Sequence, residues 1–509
     1  MNRNKIVKDT IFLTAVDFAM QGLALMLNVF ITRKLGSAAV GAISLMGTFF
    51  CFTAIISSGN VYLCSSRLIS EEIGKQNGNP NRIYRYALLY SLPLCIIVSG
   101  GMFIFSGSVA GEILKTPELE LPIRMMTFIL PINTISCCLR GYFSAYRNVS
   151  AGAVSSGVEF LVKSGMFAMF AEFYVYSGKI SVFTAFAVSM LAGQVAGLLY
   201  LTIYHMKFRK KYNSKSSIGF KCFVLTSIPI MLNSIVTSVL SSVNDALVPL
   251  TLKQYGNSTE QALSQFGIFE AIIIPALFFP SGILCSLSAI LIPELSRERG
   301  ASNTQKTVRL TNKVLRQKLS FSIFAAAVFL YYGREIGLLM SGEEFAGRII
   351  RILAPAVPFI YLEIILEGIL KGMGRHSFSS LNYLVEYTIR ISVLLICVPL
   401  LGFYGIVISY LASNIICNTS RILKIISITG IKFSFSDNII IPLISAVCSM
   451  QTVSLLEKPV HFERLNIAIE PVVFTIAAGL LYIFIQNVIH KITGNGFEID
   501  SSEIPVKQQ

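Results

Sequence analysis

The sequence predicts an all-α polytopic membrane protein of about fourteen transmembrane helices, arranged as two six-helix lobes and two additional C-terminal helices. Hydrophobic residues fill 54% of the 509 positions and charged residues only 14%, with a mean hydropathy of +0.68. Soluble proteins carry about 25% charged residues. Apolar runs of about 20 residues, the length that spans a bilayer, recur along the whole chain. The two halves of the chain also repeat each other. This composition excludes a soluble enzyme, a disordered scaffold and a nucleic-acid-binding domain.

Each apolar run between charged loops is predicted to be one membrane-spanning helix, because a helix satisfies its own backbone hydrogen bonds inside lipid. The first run is not a cleaved signal peptide, since Asp17, Gln21 and Asn28 interrupt it and it continues to Arg33 and Lys34. The predicted spans cover residues 10–32, 38–60, 84–106, 121–143, 150–174, 181–204, 222–248, 264–292, 317–333, 349–371, 379–400, 403–427, 438–456 and 470–490.

The net charge of +15 is distributed unevenly across the predicted bundle. With the N-terminus on the cytoplasmic side, the segments on that side carry about three times as many Lys and Arg residues as the outer loops. We therefore expect both termini to be cytoplasmic. The most basic loop, residues 205–221, is either a solvated linker that sets the topology or a contact for anionic membrane lipids.

A repeat relates the two halves of the chain. Four residues of the fourth and fifth spans recur 227 positions later in the tenth and eleventh spans: Pro131 as Pro358, Gly141 as Gly368, Glu159 as Glu386 and Lys163 as Arg390. The ends of the second and eighth spans match at an offset of 226, with Ser70 opposite Ser296 and Gly74 opposite Gly300.

Because six spans return the chain to its starting side, the two lobes are predicted to form a parallel repeat. Two such lobes facing each other are the architecture of alternating-access transporters, which hold the substrate site between the lobes. The predicted organisation is an N-terminal lobe at 1–204, a basic linker at 205–221, a C-terminal lobe at 222–430, and the last two helices with the tail at 431–509.

Two acid–base pairs lie inside the predicted spans, Glu159 with Lys163 and Glu386 with Arg390. Each pair has the acid four residues before the base, which is the favourable order on a helix. A charge at bilayer depth costs about 2.5–3.5 kcal/mol, so each pair requires an explanation. Either the pairs neutralise themselves so that the helices insert, or they face the cavity between the lobes and open to hold a charged substrate group.

Several further acids lie within the predicted spans without an obvious partner. Glu363 and Glu367 are one helical turn apart. Two carboxylates this close in a low dielectric do not both ionise. A site that couples transport to protons or sodium ions requires such a pair. Asp17, with Gln21 one turn away, is a second candidate for ion coupling. The alternatives are a solvated Glu367 at a helix end and a hydrogen-bonded structural Asp17. Glu270 and Asp245 complete the candidate coupling residues, and Asp245 is either interfacial or part of the site.

The sequence lacks the nucleotide-binding and metal-binding motifs that are common in soluble enzymes. No G-x-x-x-x-G-K-[ST] motif is present, and no pair of cysteines has the C-x-x-C spacing of a zinc or redox site. We therefore expect neither an enzyme nor a bound metal or cofactor.

Several stretches of the chain resemble a known family. It is similar to the stage V sporulation protein B group, in the polysaccharide-transporter branch of the multidrug/oligosaccharidyl-lipid/polysaccharide (MOP) flippase superfamily. The resemblance covers about residues 1–430 and is carried by the stretch at 228–256 (IPIMLNSIVTSVLSSVNDALVPLTLKQYG) and by 65–77, 139–148, 291–300 and 367–375. It implies fourteen helices in two lobes that form a V around a central cavity, in the plasma membrane of a bacterium.

The resemblance also implies transport of a lipid-linked saccharide, and the first span departs from that pattern. Gln21 and Asn28 stand where basic residues are expected, and Asp17 adds a negative charge. Glu270 and Glu363 replace residues expected to be neutral. A pyrophosphate headgroup favours Arg and Lys around it, so these departures imply a less basic cavity.

The sequence therefore favours a flippase that exports a lipid-linked oligosaccharide or another cell-envelope precursor by alternating access, driven by an ion gradient or the membrane potential. In this hypothesis the substrate headgroup meets Lys163, Arg390, Glu159, Glu386, Arg140 and Arg147. Protons or sodium ions are coupled through Asp17, Gln21, Glu363, Glu367, Glu270 and Asp245. Two alternatives remain: a cation-coupled multidrug or metabolite antiporter of the same fold, and a non-transporting membrane scaffold.

Overall fold

The structure is a computed structural model that describes residues 3–73, 79–113, 117–146, 148–175, 181–208, 218–282, 284, 304–431, 434–457 and 469–492. For some helical residues, Asp17 among them, it describes only the backbone. Three of the sequence predictions lie outside the described residues: Arg147, most of the basic linker, and the repeat matches at Gly74, Ser296 and Gly300.

The predicted helical fold is confirmed, since all regular elements in the described ranges are helices. Helix α1 spans Arg3–Leu35, and thirteen further helices in this part of the chain are long and apolar enough to cross a membrane. They are α2 (Ser37–Ile73), α3 (Pro80–Ile104), α4 (Glu120–Ala145), α5 (Ser150–Phe173), α6 (Val182–Phe208), α7 (Phe220–Gln254), α8 (Thr259–Ser281), α9 (Val308–Ser341), α10 (Glu344–Lys371), α11 (Ser377–Leu401), α12 (Phe403–Thr429), α13 (Ser436–Leu456) and α14 (Pro471–Ile489).

The chain divides into two compact units. The first unit comprises Met1–Ser286 and Ser377–Cys417, and the second comprises Leu287–His376 and Asn418–Gln509. The lobes predicted at 1–204 and 222–430 are defined by the sequence repeat and stay a prediction.

In the first unit, helix α2 is interrupted where two consecutive residues have left-handed backbone angles. Gly59 has a φ of 57° and Asn60 a φ of 48°. The Asn60 amide donates a hydrogen bond of 2.5 Å to the Ser234 hydroxyl of α7. About three helical turns before the break, Thr48 of α2 donates to Asp245 of α7 at 3.2 Å. Two polar contacts therefore fix α2 against α7, one at the break and one at Asp245.

Helices α2 and α8 of the first unit cross at small residues. The Ser37 and Ser264 hydroxyls are 2.6 Å apart, and a Cβ on Gly41 would lie 2.0 Å from the Leu263 carbonyl oxygen. A Cβ on Gly267 would lie 2.4 Å from the Gly41 nitrogen. Ser37 and Ser264 are 227 residues apart, which is the offset of the repeat. Equivalent residues contact each other only next to a twofold axis, so this crossing is the contact that a parallel repeat predicts.

The second unit packs α9 against α13 and α14. The Ser320 hydroxyl contacts Tyr482 at 2.9 Å and Gln486 at 3.1 Å, and the Phe324 ring lies 4.9 Å from the Tyr482 ring. Between α9 and α13 lies a mainly apolar groove of about 540 Å³, lined by residues that include Leu330, Tyr331, Val447 and Met450.

The α2–α8 crossing predicts the effect of adding one methyl group. We expect Gly41→Ala to destabilise the protein by about 1–3 kcal/mol, because the new Cβ meets backbone atoms that have no room to move. The measurement is the thermal unfolding of the purified protein in detergent. Gly47→Ala on the same helix is the matched control, since its Cβ would meet nothing within 4 Å. Equal stability of the two variants would contradict the tight crossing.

Candidate substrate and ion site

Arg390 of α11 is the centre of a buried polar cluster in the first unit. Its Nη2 atom lies 2.7 Å from Glu386 Oε1, and its Nε donates to the Ser413 hydroxyl of α12 at 3.2 Å. The guanidinium lies over the rings of Tyr410 and Tyr387, at 4.3 and 5.0 Å from their centres. The side chains of Arg390 and Glu386 are only 8% and 1% exposed. The second predicted pair is therefore closed.

Two more carboxylates face this guanidinium. Asp245 of α7 accepts hydrogen bonds from Thr48 at 3.2 Å and from the Asn244 amide at 3.1 Å, and its charge interacts with that of Arg390. Glu270 of α8 interacts electrostatically with both Asp245 and Arg390. Asp245 lies nine residues before the end of its helix, about 14 Å along the axis. Three carboxylates thus converge on one guanidinium, which leaves an excess of acidic groups that a cation or protons can neutralise.

The backbone around Glu270 is specialised. Residues Phe269–Ile273 form a π-helical turn inside α8, and such turns occur frequently at functional sites. The Asn28 amide of α1 donates to the Ala271 carbonyl at 2.9 Å. Asn28, which replaces an expected basic residue, therefore fastens α1 to this turn.

Two amide oxygens near these acids are buried without a hydrogen-bond partner in the described part of the chain. They are Asn244 Oδ1, next to Asp245 in sequence, and Asn414 Oδ1, next to Ser413. Buried polar atoms are usually satisfied, and carbonyl oxygens bind hard cations and water. No group of three or more His, Cys, Asp or Glu side chains within the described ranges is arranged to hold a metal ion.

The first predicted pair, Glu159 with Lys163 on α5, is arranged differently. Glu159 Oε2 lies 2.8 Å from Arg140 Nη2 of α4, and its other oxygen accepts a hydrogen bond from the Gln194 amide of α6. Among the described residues Lys163 forms no ion pair, and its ammonium lies 5.5 Å from the centre of the Phe160 ring. Lys163 interacts electrostatically with Glu159, although the two form no ion pair, and to a smaller extent with Cys51 of α2. Cys51 is also within range of Asp245. Cys51 of α2 therefore lies between Lys163 and Asp245, within electrostatic range of both.

The predicted acid pair of α10 lies in the second unit, and each acid has its own basic neighbour. Glu367 binds Lys371 at 2.6 Å, and Glu363 Oε1 lies 3.5 Å from Arg421 Nη2. Arg421 is fully buried and donates to Asn418 at 3.0 Å. A role of Glu363 and Glu367 in ion coupling stays a prediction.

Three predicted site residues lie apart from the cluster or have side chains outside the described residues. Gln21 is exposed on α1, where its side chain reaches the neighbourhood of Gly282. The side chain of Asp17 lies outside the described residues, as does Arg147.

Sequence reasoning missed the partners that come from other helices. Arg421 lies inside the predicted twelfth span, where its position among apolar residues signals burial. Gln194, Thr48 and Tyr410 carry no signal in the sequence, because their roles depend on which helices are neighbours.

Removing the cation from each of the two pairs is predicted to reduce stability by different amounts. Arg390→Met leaves the buried Glu386 unpaired, so we expect a loss of about 3–5 kcal/mol in the free energy of unfolding. Lys163→Met, at the repeat-equivalent position, removes no ion pair and should cost less than about 1 kcal/mol. Adding Glu386→Gln to Arg390→Met should recover part of the loss. Thermal unfolding in detergent measures all three variants, and equal losses for Arg390→Met and Lys163→Met would contradict the assignment of open and closed pairs.

The sequence is similar to two family profiles and to known proteins. The profile of the family described as "Polysaccharide biosynthesis protein" matches residues 6–299, and the MatE profile matches residues 229–396. Stage V sporulation protein B of Bacillus subtilis (strain 168) is 23% identical over 465 residues, covering 88% of this chain and 90% of that protein. Sporulation protein YkvU of the same organism is 21% identical over 381 residues, covering 73% of this chain and 83% of the relative.

Solved structures share the fold. The lipid II flippase MurJ in an inward closed conformation superimposes with a TM-score of 0.71 at 12% identity, covering 95% of this chain and 99% of that structure. An inward-facing multidrug resistance MATE family transporter of the MOP superfamily gives a TM-score of 0.61 at 15% identity, covering 81% of this chain and 95% of that structure. Since the polysaccharide biosynthesis profile matches more than half of the sequence, the protein belongs to this family, in the polysaccharide branch of the MOP flippase superfamily.

Proposed function

We propose that this membrane protein flips a lipid-linked oligosaccharide or another cell-envelope precursor across the plasma membrane by alternating access. The observation that carries the proposal is the Lys163 ammonium, which lies within a membrane-spanning helix and forms no ion pair among the described residues. An ammonium in a low dielectric needs an anionic partner, and a phosphate of a lipid-linked saccharide supplies one. The family description and the printed name of the lipid II flippase support this substrate class.

The acidic cluster is proposed to couple transport to an ion gradient. Asp245 and Glu270 interact with each other, and Arg390 is already paired with Glu386. One guanidinium therefore does not neutralise all three carboxylates, and a proton or a sodium ion would supply the missing positive charge.

The apolar groove of the second unit supports an amphiphilic substrate. Its lining by Leu330, Val447 and Met450 suits a hydrocarbon chain rather than a polar solute. The basic cytoplasmic segments are proposed to contact anionic lipids, with both termini on the cytoplasmic side.

A second candidate function is cation-coupled antiport of drugs or metabolites. The excess of carboxylates around Arg390 favours this function, because a cationic substrate would be attracted to it. The match of the MatE profile to residues 229–396 points in the same direction.

The first test measures coupling in proteoliposomes. The wild-type protein should move a polyprenyl-pyrophosphate-linked sugar across the bilayer, faster under an imposed proton or sodium gradient. In Asp245→Asn with Glu270→Gln, we expect the stimulation by the gradient to fall about tenfold or more while substrate binding persists. Glu260→Gln, at an exposed residue in the first turn of α8, is the matched control. Undiminished stimulation in the double variant would place coupling elsewhere, and no movement by folded wild-type protein would contradict the substrate class.

The second test uses the direction in which one substitution changes the KM. Lys163→Met should raise the KM for the anionic lipid about tenfold, because it removes the cation proposed to bind the headgroup. For a cationic substrate such as tetraphenylphosphonium, the same substitution removes a repulsion and should leave KM unchanged or lower it. The KM for each substrate in proteoliposomes decides between flippase and antiporter. Absence of transport for both would favour the scaffold.

A further inference from the structure

The two repeats inherit the same acid–base pair but use it differently. In the second repeat, Arg390 and Glu386 are in contact at 2.7 Å and both are buried. In the first repeat, Glu159 is turned to Arg140 at 2.8 Å, and Lys163 has no ion pair within the described residues. The spacing along the helix is identical, so the difference must come from neighbouring helices.

Arg140 and Gln194 together occupy both oxygens of Glu159. Arg140 binds Oε2 from α4, and the Gln194 amide donates to Oε1 from α6. Helix α6 reaches this close because Gly193 has no side chain. A Cβ there would lie 2.6 Å from the Glu159 carbonyl oxygen and 2.9 Å from the Lys163 Cβ.

The second repeat has no equivalent of this arrangement. The position 227 residues after Arg140 is Glu367, and a carboxylate does not form an ion pair with Glu386. Glu367 binds Lys371 at 2.6 Å instead. One reversal of charge between the repeats therefore separates an open pair from a closed pair.

We propose that Arg140 and Gln194 are positioning residues that hold Glu159 away from Lys163, so that the Lys163 ammonium stays open to a phosphate group of the substrate. This inference rests on the proposed function and gives Arg140 a role other than the direct headgroup contact expected from the sequence. Both Arg140 and Gln194 bind the Glu159 carboxylate, but only Arg140 carries a positive charge, so Arg140 is the main restraint and Gln194 the auxiliary one.

A labelling experiment tests the arrangement without transport. Trinitrobenzenesulfonate, which attacks the neutral amine, is added to the protein in nanodiscs, and modification of Lys163 is followed by peptide mass spectrometry. In Arg140→Gln the freed Glu159 pairs with Lys163 and favours the charged ammonium, so we expect labelling about tenfold slower than in the wild type. Arg140→Gln with Glu159→Gln should restore it. Lys34, which forms an ion pair with Glu172 of α5, is the internal reference. Equal labelling of Lys163 in all three proteins, including none in any, overturns the inference.

Protection from labelling identifies the anion. A polyprenyl-pyrophosphate-linked sugar should slow the modification of wild-type Lys163, as expected for a lipid headgroup. If inorganic pyrophosphate protects equally well, the site binds a free phosphate compound and the flippase proposal fails while the positioning role stands. If neither protects, the assignment of a phosphate ligand is overturned.

A kinetic cycle separates positioning from a merely structural role. In proteoliposomes, Arg140→Gln should raise KM about tenfold with little change in kcat. The same substitution in a Lys163→Met background should have no further effect on KM, because the cation that Arg140 keeps open is gone. Additive effects on KM would show that Arg140 acts independently of Lys163 and would overturn the inference.

Discussion

The contact between Arg390 and Glu386 is the interaction on which the rest of the site depends. Each charge would cost several kcal/mol alone within a membrane-spanning helix, and the 2.7 Å ion pair offsets that cost for both. The guanidinium also lies over Tyr410 and is hydrogen-bonded to Ser413, so it fixes α11 against α12. Without this cation, the carboxylates of the cluster would repel one another. The pair therefore allows acidic groups to gather where an ion can be coupled.

The repeat contains two copies of one acid–base pair, and contacts with neighbouring helices determine whether each pair is closed or open. In the second copy Glu386 stays with Arg390 at 2.7 Å, and the pair is closed. In the first copy, Arg140 and Gln194 take the acid, and Lys163 is left facing the interior of the unit. A reversal of charge at a repeat-equivalent position, Arg140 against Glu367, accompanies this difference.

The sequence predicted the helices well because each span is a long apolar run whose backbone must be hydrogen-bonded within itself. It also indicated Lys163, Arg390, Asp245 and Glu270 as candidates, since charges in apolar runs are conspicuous, and their functional roles stay a prediction. It did not predict which partners they have. An i, i+4 neighbour is visible in the sequence, but a partner on another helix, such as Arg140 for Glu159, depends on packing. The same limit explains why Arg421, paired with Glu363, was overlooked.

The balance of charge connects the two parts of the proposed mechanism. When Glu159 and Arg140 neutralise each other, two cations (Lys163 and Arg390) remain with three acids (Asp245, Glu270 and Glu386). A phosphate bound at Lys163 adds further negative charge within a region of low dielectric. Its binding would then favour uptake of a proton or sodium ion by Asp245 and Glu270, and uptake of that ion would favour the phosphate by the same free energy. Coupling between ion and lipid therefore follows from electrostatics alone in the proposed site, without a direct contact between the two ligands.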